Sequence, residues 1–310
     1  VTAALLLFLF AFLPLAAQTP APTGRRVAVT IDDGPVVGEP SDLGNFRRIT
    51  AGLIGAFVTE KVPTTVFVNE RQLNVPGQRD ARAAALEQWL DAGFDLGNHG
   101  YEHVSANQVP FARFADDVVK GEVVIRPLVE ARGRRLVWFR YPNLHSGTTD
   151  AAHQAIVDFL ASRAYRVAPI TVSYADYSYA GPYARELHAG RAEQAGRIRQ
   201  AYIDSVDAGF AYAEQASMEV FGREIPQILL IHCNELNSHV LRDTFARMRA
   251  RGYAFITLED AMADPAYARA DTFAGSGGGW IERTARAAGK TITARSPQVP
   301  TWVTAPPTAP

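Results

Sequence analysis

The sequence has a single cysteine, Cys233, in 310 residues. The chain can therefore close no internal disulfide and build no thiolate-rich zinc site, so any metal must be held by histidine and carboxylate. Charge of one sign is also missing: 31 Lys and Arg stand against 32 Asp and Glu, a net charge of −1. With no basic stripe along the chain, there is no electrostatic case for nucleic-acid binding. No repeat of fixed period is visible. What is present excludes wholesale disorder, because 47% of residues are hydrophobic and only 20% are charged. The length suits one large α/β domain.

Residues 1–17 carry no charge, and their centre is dense in Leu and Phe. Pro14 breaks the run, Ala16 and Ala17 are small, and the chain then turns polar. The pattern predicts a signal peptide cleaved near Ala17 and a secreted or periplasmic protein, although no basic residues precede the run. A membrane anchor is the rival, but a span needs about 20 apolar residues. Residues 18–26 are expected to be a linker. From Val27, strand-like runs at 27–31, 64–68, 94–96, 136–139, 165–172, 228–231 and 255–257 alternate with helical patterns at 45–60, 80–92, 111–132, 149–163, 192–217 and 239–251. Such alternation predicts a parallel sheet, open or closed into a barrel, over 27–264. Residues 265–310 are expected as an extension, partly disordered, with a flexible stretch at 275–279 and a Pro/Thr-rich end.

In β/α proteins reactive groups gather beyond the carboxyl ends of the strands, and the polar clusters fall there. The first strand runs into Asp32-Asp33-Gly34-Pro35, whose forced turn lets two neighbouring carboxylates flank one site; a solvated turn would look the same in isolation. After the third strand, His99 and His103 stand at i and i+4, a spacing that puts both imidazoles on one face of a helical turn. Arg140, at the next strand end, could pair with a carboxylate. His232 ends an apolar strand, where a rim histidine is the plainer reading. Cys233 beside it points the other way and reads as structural. His145 stands nearest a motif among the remaining histidines; His153, His188 and His239 read as surface or helix residues.

In order, these clusters resemble the five motifs of the polysaccharide deacetylase family of NodB-homology type, which includes chitin and peptidoglycan N-deacetylases and acetylxylan esterases. Thr30-Ile31-Asp32-Asp33-Gly34-Pro35 is similar to its T-F-D-D-G-P, and His99 and His103 to its H-x-x-x-H. Arg140-Tyr141-Pro142 matches R-x-P, Asp176-Tyr177 stands for Asp-Trp, and Leu230-Ile231-His232 for L-x-H. Asn143, Ser173 and Tyr177 depart from the pattern without removing a metal ligand or a proton-transfer group.

The resemblance implies a distorted (β/α) barrel of about seven parallel strands and a hydrolase that removes acetyl groups from a polysaccharide or oligosaccharide. It implies that Asp33, His99 and His103 hold a divalent metal, zinc by donor type. Asp32 would be the base for a metal-activated water, oriented by Arg140, and His232 the acid, oriented by Asp176. Tyr141, Pro142, Asn143, Tyr177 and Leu230 would bind substrate, with the Asn143 backbone N–H meeting the oxyanion. The long segment from Tyr174 to Pro226 carries Tyr174, Tyr177, Tyr179 and Tyr183, expected either as a platform for sugar rings or as core packing. Hydrolysis of a small amide or imide, and a catalytically inactive glycan-binding module, are the alternatives.

Overall fold

The structure is a computed structural model and describes residues 24–37, 42–275 and 277–305. The expected signal peptide lies outside the described residues, as does most of the linker. Seven parallel strands form the sheet: β1 (Arg25–Gly34), β2 (Thr64–Val68), β3 (Asp95–Asn98), β4 (Trp138–Phe139), β5 (Arg166–Val167), β6 (Gln227–His232) and β7 (Tyr253–Ile256). They run in the order β5-β4-β3-β2-β1-β6, and β7 pairs with the first residues of β1. Beyond β5 the chain bridges from Val172 to Leu229 of β6, so the sheet curls back toward its other edge as a distorted (β/α) barrel. Buried runs such as Val27–Val29 in β1 and Ile228–Ile231 in β6 are apolar throughout because helices and barrel interior cover both faces.

The helices are α1 (Leu43–Thr59), α2 (Arg79–Asp91), α3 (Phe111–Lys120), α4 (Ile125–Glu130), α5 (Asp150–Ser162), α6 (Asp176–His188), α7 (Ala192–Phe221), α8 (Glu235–Ala250), α9 (Leu258–Met262), α10 (Trp280–Ala287) and α11 (Thr301–Thr304). Asp42, Thr149, Asn234 and Thr257 cap α1, α5, α8 and α9 through side-chain oxygens on early backbone N–H groups. The single helix expected over 111–132 is two, α3 and α4. The break falls at Gly121, where a Cβ would sit 2.5 Å from the Gly100 carbonyl carbon and 2.8 Å from Asn98 Oδ1. Close packing against the strand end that carries His99 ends α3 there.

Among the described residues, part of the extension docks on the barrel. Trp280 and Ile281 of α10 are buried, the Trp280 backbone N–H donates to the Ile170 carbonyl at 2.6 Å, and Arg283 pairs with Asp271 at 2.6 Å. Val303 is buried even among the last residues. Spaced apolar side chains amid Gly and Pro were enough to dock this segment on the barrel.

One aromatic cluster ties α1, α2 and α8 to the sheet. Phe57 stacks edge-on with Trp89 and Phe94, both at 5.8 Å, and lies 5.3 Å from Phe245. Phe57 is fully buried, so Phe57→Ala is expected to lower unfolding stability by about 3–5 kcal/mol. A denaturant titration with an unchanged midpoint would contradict this packing role.

Candidate active site

The two aspartates reach the site through a bulge. Ile31 is opposite Val66 and Gly34 opposite Val68, so β1 has one residue more than β2 across that interval. Asp33 takes φ 59°, which turns its carboxylate out of the strand's alternation. Asp32 keeps the strand position and faces His232 across the pairing with β6.

His99 and His103 come together on a loop, not on the helical turn that their spacing suggests. Gly100 has φ +78° and His103 φ 59°, and the rings meet edge-on with centroids 4.8 Å apart. The buried Asp117 holds the loop by accepting hydrogen bonds from the backbone N–H of Tyr101 at 3.1 Å and Glu102 at 2.9 Å. A Cβ on Gly100 would lie 2.3 Å from Asp117 Oδ2, so this turn needs glycine twice over. Spacing arithmetic had no means of finding Asp117.

Ligand atoms from Asp33, His99 and His103 all lie within 4.8 Å of one another. Asp33 Oδ1 is 3.6 Å from His99 Nε2 and 3.7 Å from His103 Nε2. His99 Nδ1 lies 2.9 Å from the Arg140 carbonyl, a bond that fixes the proton on Nδ1 and leaves the Nε2 lone pair facing the site. Burial, then the neighbouring His103, pushes the His99 pKa down to about 3, so this ring is neutral as a ligand must be. The donor set of two imidazoles and a carboxylate fits a divalent cation of the zinc type. A buried Asp32 Oδ1 without a hydrogen-bond partner adds an acceptor beside it.

Asp32 is buried, and its Oδ2 lies 3.5 Å from Arg140 Nη1 and 3.6 Å from His99 Nε2. Burial raises its pKa while the guanidinium opposes the rise. Arg140 itself is fully buried, stacked 4.7 Å over the Phe67 ring, and donates to Thr30 Oγ1 at 2.9 Å. It sits behind Asp32 and does not line the cleft.

His232 forms the opposite wall. Its Nδ1 is 2.8 Å from Asp176 Oδ1, and its backbone N–H donates to Asp176 Oδ2 at 2.8 Å. Asn234 and Asn237 donate to that same Oδ2 at 3.0 and 2.7 Å. These two asparagines had no signal in the sequence beyond lying after the His232 strand. Burial favours the neutral ring, but the Asp176 carboxylate outweighs it and raises the His232 pKa to about 10. The Asp176 pKa is held low despite burial, by the same imidazole and its hydrogen bonds.

These groups open on one cleft of about 980 Å³. Tyr141, Asn143, Tyr177 and Leu230 line it, whereas the buried Pro142 packs against the Gly100 turn. Asn143 adopts φ 56°, which presents the turn after β4 to the cleft. The four-tyrosine platform is not there: Tyr174, Tyr179 and Tyr183 are buried, because they lie on the core face of α6 and its approach. Only Tyr177 stays open, 63% exposed and edge-on to His232 at 5.9 Å. His145 bonds Ser105, His153 is buried between the Ser146 and Asp271 carbonyls, and His239 bonds Tyr183. His188 alone of these reaches the cleft.

Residues 19–159 match the family model described as polysaccharide deacetylase. This match to the polysaccharide deacetylase family covers 141 of the chain's 310 residues. No curated protein matches the chain. Among solved structures, the fold is similar to the Xyl-CE4 domain of a multidomain xylanase from the hindgut metagenome of Trinervitermes trinervoides, at 15% identity and TM-score 0.51 over 77% of this chain and 90% of that one. It is similar also to a CE4 family pseudoenzyme from Bacillus anthracis, at 14% identity and TM-score 0.52 over 78% and 66% of the two chains. A polysaccharide deacetylase from Bacillus cereus matches at 14% identity and TM-score 0.50, over 75% and 91%. At these identities the solved structures show a shared fold, and the family match is to polysaccharide deacetylases. A pseudoenzyme shares the fold, so the side chains of the site and not the fold decide activity.

Proposed function

We propose that this protein is a secreted, metal-dependent hydrolase that removes acetyl groups from a polysaccharide. One observation carries the reading: Asp32, Asp33, His99, His103 and His232, from the ends of three strands, face one cleft. A pure glycan binder needs no such set, and a small-amide hydrolase would sit poorly with an export segment. That segment, residues 1–17, supports secretion. Among the described residues no helix is long and apolar enough to cross a membrane.

Asp33, His99 and His103 would hold the cation, with zinc favoured by the donor set. When bound, a divalent cation polarises an acetyl carbonyl and makes a nearby water more acidic. Asp32 takes a proton from the attacking water, and Arg140 holds that carboxylate in place. The backbone N–H of Asn143 donates to the oxyanion that forms on the acetyl carbon. His232 delivers the proton on Nε2 to the departing nitrogen or oxygen, while Asp176 accepts the Nδ1 hydrogen bond throughout. Acetate and a free amine or hydroxyl result.

The test is acetate release from chitin-like, peptidoglycan and acetylxylan substrates, with and without chelator, alongside metal analysis. About one zinc-like ion per chain is expected. His99→Ala and His103→Ala should each lose most of it, together with turnover. Full metal occupancy in the double variant would refute the ligand set.

A further inference from the structure

The half of the site that carries the proton lies beyond residue 159, where the family match ends. Three segments meet there: Asp176 at the start of α6, Tyr202 on α7, and Asn234 and Asn237 at the start of α8. All four side chains are buried. Asn237 is the link between them. Its Nδ2 lies 2.7 Å from Asp176 Oδ2 and 2.8 Å from the His232 carbonyl, both acceptors, so this side of the amide must be the donor. Its Oδ1 therefore points the other way and accepts from the Tyr202 hydroxyl at 2.6 Å. Burial, with Tyr174 and Asp176 nearby, holds the Tyr202 pKa well above the usual phenol value, so that hydroxyl keeps its proton. The backbone N–H of Asn237 donates to Asn234 Oδ1 at 2.8 Å, which fixes the base of the side chain. Tyr202 is itself held between Tyr174 and Tyr179, at ring distances of 5.4 and 5.5 Å. The bonds thus run in one direction, from Tyr202 through Asn237 to Asp176.

We propose that Tyr202 and Asn237 are positioning residues for His232, the Tyr202 hydroxyl fixing the Asn237 amide that holds both Asp176 and the His232 backbone. The proposal rests on the deacetylase reading and adds that the acid depends on a residue of α7 that lies outside the cleft. Without the hydroxyl, Asn237 Oδ1 is a buried acceptor with no donor, and the amide loses the contact that sets its rotation. A half-turn is blocked, because it would press Oδ1 against two acceptors. The amide is left to loosen, Asp176 loses a firm donor, and the Nδ1 side of the His232 ring is held less closely. Neither residue is among the metal triad, so metal content should not respond.

In the full chain, Tyr202→Phe, Asn237→Leu and the double variant test it, with Tyr179→Phe as a control that removes a neighbouring buried hydroxyl. Values of kcat and KM are measured on an N-acetyl oligosaccharide and on an aryl acetate, with metal content in parallel. A second readout needs no substrate: the proton NMR resonance of the His232 Nδ1–H, identified by its absence in His232→Gln. Tyr202→Phe is expected to lower kcat on the N-acetyl substrate roughly tenfold, part of the 10²–10⁴ that a positioned acid supplies, with KM and metal content near wild type. The aryl acetate should suffer far less. The Nδ1–H resonance should move, and Tyr179→Phe should leave both readouts where they are. The double variant should lose no more than Asn237→Leu alone, because Tyr202 acts through Asn237. Tyr202→Phe and the resonance decide the matter even where Asn237→Leu fails to fold. Additive losses, an unmoved resonance in Tyr202→Phe, or an equal effect of Tyr179→Phe would overturn the proposal. A resonance that moves as expected in a protein that releases no acetate from any polysaccharide would remove the deacetylase reading and leave the positioning of His232 in place.

Discussion

His232→Gln is expected to abolish most turnover on an N-acetyl substrate and to cost far less on an activated aryl acetate. An amine leaves poorly without a proton, whereas an activated phenolate needs little help. The ring is placed to supply that proton, with Nδ1 held 2.8 Å from Asp176 and Nε2 left toward the cleft. Metal content and thermal stability should stay near wild type, because His232 is not among the ligand triad. The same arrangement fixes a pH dependence. Burial disfavours the imidazolium, but Asp176 overrides it and sets the pKa to about 10, so the ring is protonated below that value and loses its proton above it. Turnover should therefore be bell-shaped, with Asp32 deprotonated on the acid side and His232 protonated on the alkaline side. Asp176→Asn removes the charge that favours the imidazolium, so the alkaline limb should move to lower pH. An alkaline limb that stays in place, or equal losses of His232→Gln on both substrates, would make His232 a positioning residue and not the acid.

Asp33→Asn and Asp32→Asn should fail in different ways although the residues are neighbours. Asp33 Oδ1 stands 3.6 and 3.7 Å from the two histidine nitrogens, so its loss should empty the metal site and turnover together. Asp32 is as near to His99 Nε2, at 3.6 Å, but its Oδ2 is also 3.5 Å from Arg140 Nη1, and it is not grouped with both histidines; it lies on the strand position opposite His232. Asp32→Asn should keep the metal and lose roughly 10²–10⁴-fold in kcat, the range for removing a general base. Metal analysis and kcat on the same preparations decide it. Equal metal loss in both variants would place Asp32 among the ligands.

The local sequence was sufficient for the approximate positions of the strands and for the candidate residues that lie at their ends. Buried parallel strands write themselves as short apolar runs, so β2 falls on residues 64–68 as expected and β1 and β6 differ from expectation only at their ends. Asp32, Asp33, His99, Arg140 and His232 sit at the ends of those runs, where the strand pattern alone marks them as candidates. Three things depended on distant parts of the chain. The pairing of His99 with His103 is made by a left-handed loop that Asp117 ties down from α3, some fifteen residues away. Asp176 serves His232 because Asn234 and Asn237 lock its second oxygen across the sheet edge. The fate of the tyrosines was set by the face of α6 that meets the core, a helix whose Gly181 and Pro182 mask its periodicity in sequence. Composition and spacing determine which groups are available and roughly where each strand ends. Which groups meet, which are buried and which proton each can carry follow from hydrogen bonds and burial between segments far apart in the chain, and those exist only once the barrel has closed.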